Sequence, residues 1–307
     1  MVSKPKTRRA LANPPSVDAD GATSLGSRDP ASGRVVISPR RTLPTAESYV
    51  QENHQTADGR TLHDHAGMLM EWDGSRYVEL EEGAMQNRLF QWLHEAVRYV
   101  PDRERHGMKL VPFDANPSSM RAALDSIKAH VHLPASVTSP AWLDGRRRPQ
   151  PNELLICRSS LIHLPTGRRL KPTPQLYVTN TIDFDHDPAA PEPMEWHRFL
   201  HQLFDDDLES LTLLQEWFGY SLIADTSQQK MLLMVGPRRS SKGTIARVLR
   251  RLVGEGNVSG PIISSLAGSF GLQPLIGKSL AIVSDARFAG DGMTTVVERL
   301  LTHVPDQ

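Results

Sequence analysis

VGPRRSSKGT (residues 235–244) is the stretch that decides the fold, because it nearly spells a loop that binds phosphate groups. Such a loop usually reads glycine, four residues, glycine, lysine, and then serine or threonine. Gly236 opens the loop here, and Lys242 occupies the place of the lysine. Ser241 replaces the second glycine, and a glycine inserted after the lysine moves the hydroxyl to Thr244. A serine in place of that glycine should resist a positive φ angle, at a cost of about 1–2 kcal/mol if the loop requires one.

The residues on both sides of this loop have the pattern of a strand and a helix. Met231–Val235 is a continuous apolar run, which predicts a buried parallel strand. After the loop, apolar residues recur at the spacing of one helix face, and Gly254 ends the pattern. This order aims backbone N–H groups and the positive end of a helix dipole at a phosphate. The apolar positions are Ile245, Val248, Leu249, Leu252 and Val253, and Arg247, Arg250 and Arg251 fill the opposite face.

A second strand is predicted over Ser279–Ser284, and it ends at Asp285. A carboxylate at the tip of a buried strand is what a magnesium–nucleotide site places opposite its phosphate loop. Loop, flanking elements and strand-tip aspartate together therefore predict a nucleotide site.

The composition is that of a globular protein with no strong preference for a charged partner. The chain has 307 residues, of which 39% are hydrophobic, and 35 basic residues balance 35 acidic ones. No stretch approaches the roughly 20 apolar residues of a membrane helix, so we expect no membrane association. Cys157 is the single cysteine, which excludes an internal disulfide and fits a reducing cytoplasm.

Three regions are predicted along the chain. Residues 1–45 are basic and rich in proline and serine, which predicts a disordered tail that either contacts nucleic acid or is simply solvated. Residues 46–206 read as an α+β domain, and residues 207–307 contain the phosphate loop. In the α+β domain, Arg146–Arg148 either meet phosphates or form a solvated loop.

Histidines occur in this domain in two close pairs. His63 and His65 flank Asp64, and His130 and His132 alternate. Neither pair has a third ligand at the spacing of a metal site, so polar surface histidines are the favoured interpretation.

Several segments of the chain resemble a known protein family. The segments GPRRSSKGTIARVL, FGLQPLIGKSLAIVSDAR and VVERLL resemble the superfamily 3 helicase domain of phage- and plasmid-type primase-helicases. MEWDGSRYVEL and NELLICRSSLIHLPTGRRLKPTP resemble the domain joined N-terminally to that helicase, as in the poxvirus primase-helicase. The resemblance covers about residues 65–304. It implies a smaller α+β N-terminal domain followed by a parallel-sheet, AAA+-like P-loop NTPase domain, in an ATPase that forms rings and unwinds DNA during replication.

The resemblance also implies roles for individual residues. Lys242 would contact the β- and γ-phosphates of ATP and act in catalysis with Asp285, and Thr244 and Asp285 would hold Mg²⁺. The catalytic base cannot be assigned, because Ser284 and Ala286 flank Asp285. The arginine that a neighbouring subunit would supply cannot be assigned either, because only 22 residues follow Asp285. The implied nucleotide contacts are Gly236, Pro237, Arg238, Arg239, Ser240, Ser241, Lys242, Gly243 and Thr244.

Two alternatives stay open at this level. The chain reaches only Gln307 after Asp285, so we expect a truncated helicase or one part of a split gene. Such a chain could bind nucleotide or DNA without turnover, because catalysis needs every phosphoryl-transfer group in place. The order Lys242-Gly243-Thr244 also resembles adenylate-kinase-like enzymes, which makes a nucleotide kinase the second alternative.

Overall fold

The computed structural model describes residues 22–104, 107–266, 268 and 270–284. The chain divides into two compact units, and each is described by itself. Unit 1 runs to Thr138 and includes Thr173–Gln175, and unit 2 comprises Ser139–Pro172 and the residues from Leu176 onward. The mixed α/β class is confirmed, with small sheets and seven α-helices in the described part of the chain. Across these ranges, no helix has the length and apolar character to cross a membrane.

Unit 1 contains a four-stranded sheet with the order β5-β4-β3-β8. Strands β3, β4 and β5 are antiparallel neighbours, and β8 joins β3 in parallel. The turn Asp73-Gly74 connects β4 to β5, as the sequence predicts. The strands of unit 1 are β1 Gln55–Thr56, β2 Gly59–Arg60, β3 Leu62–His65, β4 Met68–Trp72, β5 Tyr77–Glu79, β6 Val97–Asp102, β7 Gly107–Pro112 and β8 His132–Leu133.

Three helices complete unit 1, and their apolar faces form its core with the sheet. They are α1 (Thr42–Asn53), α2 (Glu82–Glu95) and α3 (Pro117–His130). Asn116, a residue type that favours the start of a helix, caps α3 and accepts hydrogen bonds from two backbone N–H groups of the first turn. From Met85 to Val97 the sequence has the apolar spacing of one helix face, which predicts a helix up to Val97. Val97 instead begins β6, which pairs with β7. The largest fully buried side chains of the core include Tyr49, Tyr77, Leu62, Met85, Leu89, Leu93 and Ile127.

The prediction of a disordered tail is wrong for residues 22–45. Val35 and Ile37 belong to the core of unit 1, and Val36 is fully buried and forms a parallel bridge with Val97. The start of α1 also falls within this range. The physical reason is that a three-residue apolar run can dock on an existing core, although the composition around it is basic and polar.

Buried histidines are a second correction in unit 1. His63 is only 8% exposed and His54 only 3%, so His63 is not a surface residue. The His63 ring lies 5.4 Å from the ring of Tyr77, measured between centroids. Burial lowers the pKa of each imidazole to about 4, and Arg60 near His63 adds to the effect. Glu71 acts in the opposite direction on the pKa of His54.

Unit 2 begins with a small antiparallel sheet of the order β10-β11-β12. The turn that contains Thr166 and Gly167 joins β11 to β12. Cys157 is fully buried beside this sheet with Ile162 and Ile182, so it acts as a small apolar residue of the core. The strands of unit 2 are β9 Ala141–Trp142, β10 Leu154–Ile156, β11 Leu161–His163, β12 Arg168–Leu170, β13 Leu176–Tyr177, β14 Val258–Ser259 and β15 Leu280–Ala281.

The helices of unit 2 are α4 (Met194–Phe204), α5 (Leu208–Tyr220), α6 (Lys242–Val253) and the short α7 (Ile263–Leu266). Asp207 caps α5 by accepting hydrogen bonds from the backbone N–H groups of Glu209 and Ser210. The hydrogen bond from the Ser210 hydroxyl, together with these backbone hydrogen bonds, lowers the pKa of Asp207. The last residue of the acidic run Asp205–Asp207 therefore caps α5.

Helix α6 buries the face that its periodicity predicts. Ile245, Leu249 and Val253 are buried, and the last two pack with Val258 of β14. The helix ends at Gly254, whose φ angle is +98°. A side chain there would meet the Asn257 amide at 3.1 Å, so the position requires glycine. The Asn257 amide donates hydrogen bonds to the backbone oxygens of Val253 and Thr181, which holds the C-terminal end of α6 in unit 2.

The predicted buried strand before the loop is wrong. Met231–Val235 forms no strand, and its apolar side chains are largely exposed, with Val235 at 85%. The parallel strands β14 and β15 follow the loop in sequence and pair through two residues each. An apolar run becomes a buried strand only where neighbouring strands satisfy its backbone, and the described residues provide no such neighbour for this run.

Both buried histidines are expected to make unit 1 lose stability as the pH falls from about 6.5 to about 4. In this window the unfolded chain binds protons that the folded chain, with pKa values of about 4, does not. The difference corresponds to a loss of roughly 3 kcal/mol for each histidine, which is complete below pH about 4. Urea unfolding at several pH values measures this dependence.

A double variant, His54→Gln with His63→Gln, should show a much flatter dependence over the same window. The exposed His197→Gln provides the matched control and should keep the wild-type slope. Equal slopes in the double variant and the wild type would contradict this assignment.

Candidate functional site

The candidate site begins where α6 starts, at a residue with a left-handed backbone. Ser241 has φ +60° and ψ +5°, the conformation that the glycine of a phosphate loop usually supplies. Its carbonyl oxygen accepts hydrogen bonds from the backbone N–H groups of Thr244, at 2.8 Å, and Ile245, at 3.2 Å. The serine therefore adopts the backbone that the loop requires, and the first turn of α6 forms on it.

The Lys242 side chain turns back across the loop. Its ammonium donates hydrogen bonds to the backbone oxygens of Gly236, at 2.7 Å, and Pro237, at 2.8 Å, and to the Ser240 hydroxyl, at 2.9 Å. The Lys242 ammonium is thereby held against the oxygen atoms of the loop. An anion that binds there would give this ammonium an oppositely charged partner in place of three neutral oxygen acceptors.

Gly236 allows the loop to close on itself. A side chain at this position would lie 3.0 Å from the Ser240 hydroxyl and 3.7 Å from the Lys242 ammonium. The opening glycine of the motif is therefore explained by close approach, since its φ angle is not among the positive ones. In the described part of the chain, the backbone N–H groups of Ser240, Ser241 and Lys242 donate no hydrogen bond and can serve an anion.

An open cavity of about 480 Å³ lies at the start of α6. Arg239, Ser241, Gly243, Thr244 and Arg247 line it. The two arginines are exposed, and the lining contains no carboxylate. A cavity with two guanidinium groups at the positive end of a helix favours phosphate over a neutral or cationic ligand.

Most of the predicted nucleotide contacts come together here. The Lys242 side chain forms hydrogen bonds with Gly236, Pro237 and Ser240. The cavity is lined by four further predicted contacts, Arg239, Ser241, Gly243 and Thr244. Arg238 is exposed and does not line the cavity. The helix pattern predicts that Arg247 lies on the polar face of α6, but it indicates no role for this residue.

The described residues do not fit a magnesium ion at Thr244. The Arg247 guanidinium donates a hydrogen bond to the Thr244 hydroxyl at 3.1 Å, so a Mg²⁺ ion on this hydroxyl would lie next to a permanent positive charge. Mg²⁺ prefers carboxylate, water and phosphate oxygens in octahedral geometry. Among the described residues, no group of three His, Cys, Asp or Glu side chains could hold a metal ion. Asp285, the other predicted ligand, lies outside the described residues.

In unit 2, two of the three consecutive arginines Arg146–Arg148 pair with a carboxylate of the same loop. Arg148 donates to Asp144 at 2.6 Å, and its guanidinium carbon lies 4.7 Å from the centre of the Trp142 ring. The Arg148 hydrogen bond lowers the pKa of Asp144, and Arg146 approaches the same carboxylate at 3.7 Å. One carboxylate therefore balances part of this charge, and Arg147 is exposed.

Part of the chain is similar to a known family. Residues 55–205 match the family model described as D5 N terminal like (D5_N), a range that begins in unit 1 and ends in unit 2 just after α4. The match supports the interpretation of this range as the N-terminal domain of a phage- or plasmid-type primase-helicase, related to DNA replication. No curated protein matches the chain.

Ser241→Gly is expected to raise the free energy of unfolding of unit 2 by about 1 kcal/mol, because glycine adopts φ +60° without steric cost. Chemical denaturation of the variant and the wild type measures this difference. Ser240→Gly is the matched control. Ser240 is not among the residues with positive φ, and its hydroxyl accepts from Lys242, so this variant should lose stability. A loss of stability in Ser241→Gly would contradict the left-handed backbone.

Proposed function

We propose that this chain belongs to a replication ATPase of the primase-helicase type and that its loop, residues 236–244, binds the phosphates of ATP. The observation that carries the proposal is the Lys242 ammonium held over the loop at the start of α6. The match of residues 55–205 to the D5 N terminal like model supports the replication context. The sequence in this range also resembles the domain that precedes the helicase in primase-helicases.

The proposed binding mode follows from the groups of the loop and of the first turn of α6. Lys242 would leave its three oxygen acceptors and contact the terminal phosphates, while the backbone N–H groups of Ser240 and Ser241 surround them. The partial positive charge at the start of α6 adds to the attraction. Each charge-assisted hydrogen bond contributes about 1.5–3 kcal/mol, so a few of them account for micromolar binding.

Lys242→Ala is expected to weaken binding of a fluorescent ATP analogue at least tenfold, because it removes one charge-assisted contact. Fluorescence titration measures the dissociation constant, and urea unfolding checks that the variant is folded. Lys230→Ala is the matched control, since Lys230 is exposed and lies outside the loop. Equal affinities of wild type and Lys242→Ala would show that the nucleotide, if bound, binds elsewhere.

Turnover is tested separately from binding. ATP hydrolysis that increases with single-stranded DNA supports the helicase-type activity and the proposed DNA partner. Binding without hydrolysis supports the alternative, a nucleotide-binding chain that lacks turnover by itself. Phosphate transfer to a nucleoside monophosphate would support the kinase instead.

A further inference from the structure

The loop and α6 carry an unbalanced positive charge. Between Thr226 and Gly254 the sequence has no acidic residue. Nucleotide phosphates without a metal ion carry more negative charge than their magnesium complexes, so a site of this kind attracts the metal-free form more strongly. The basic residues of this stretch are Lys230, Arg238, Arg239, Lys242, Arg247, Arg250 and Arg251.

Arg247 directs part of this charge into the cavity. It lies three residues after Thr244, on the same side of α6, and its guanidinium donates to the Thr244 hydroxyl at 3.1 Å. Arg250 and Arg251, on the same helix, do not line the cavity. Arginine keeps its charge at any pH that proteins tolerate, and its planar fork can hold two phosphate oxygens at once.

Thr244 therefore has a different neighbour from the one that a magnesium site needs. A Mg²⁺ ion requires the hydroxyl oxygen at about 2.0–2.1 Å and would lie next to a permanent cation. The hydroxyl can accept from Arg247 or bind the metal, but the repulsion between the two cations opposes both together. The expected cofactor, Mg²⁺, therefore does not fit beside Thr244, and another positive charge is needed to neutralise the phosphates.

We propose that Arg247, together with Arg239, which also lines the cavity, neutralises the nucleotide phosphates in place of magnesium. The site then binds a metal-free nucleoside triphosphate or diphosphate through its polyphosphate group. This inference rests on the proposed function, because it concerns the same loop. Arg247 is a binding and specificity residue in this scheme, and no hydrolytic step is assigned to it.

The test compares binding of a fluorescent ATP analogue in EDTA and in MgCl₂ at equal ionic strength. The wild type should bind in EDTA at least as tightly as in magnesium. Arg247→Gln should bind about tenfold more weakly in EDTA, the effect of one lost charge-assisted contact. The same variant should bind more tightly when magnesium is added, since the metal can then reach Thr244.

Arg251→Gln is the matched control, because it removes the same charge from the same helix outside the cavity. It should keep the wild-type preference between the two buffers. Arg247 is exposed, so its variant is expected to fold, and urea unfolding verifies this.

The outcomes separate the two proposals. Wild-type binding that requires magnesium, or Arg247→Gln binding in EDTA as tightly as the wild type, would overturn the role of Arg247 and leave ATP binding intact. No binding by the folded wild type in either buffer would overturn the proposed function as well. A preference for EDTA that disappears in Arg247→Gln and persists in Arg251→Gln supports the inference.

Discussion

Burial of one face of α6 is the constraint on which the candidate site depends. Ile245, Leu249 and Val253 are buried along this face, and the Asn257 amide holds the last turn. With the helix fixed in this way, Arg247 on its polar face lines the cavity at its start. The left-handed backbone at Ser241 is the second condition, because the helix starts on its carbonyl oxygen.

The sequence predicts those parts of the molecule whose signals are local. The helix over Lys242–Val253 follows from periodicity, the cap at Asn116 from residue type, and the turn at Asp73-Gly74 from a pair that favours tight turns. The loop itself is recognised because glycine and lysine have fixed places in it. Even the strained position, Ser241, is identified by comparison with the usual pattern.

What the sequence does not predict depends on contacts between distant residues. Val36 is buried because Val97 lies beside it, although the surrounding composition indicates disorder. His63 is buried against Tyr77, which no spacing rule reveals. Met231–Val235 fails as a buried strand for the converse reason, since apolar composition alone does not supply a neighbouring strand. The sequence allows the contact between Arg247 and Thr244, because the two residues are three positions apart on one helix. The helix pattern alone gives no reason to connect Arg247 with the loop.

The exposed segment Met231–Val235 has a consequence for the behaviour of the chain in solution. Five successive apolar residues with no proline and no charge have the composition of segments that aggregate by pairing as strands between molecules. Lys230 precedes the segment, and Gly236, Pro237 and Arg238 follow it. A charge at each end and a proline at one oppose the growth of such a sheet, so these flanking residues act as gatekeepers beside the phosphate loop. The loop sequence is thus under two constraints at once, one from the anion that we propose it binds and one from the solubility of the run before it.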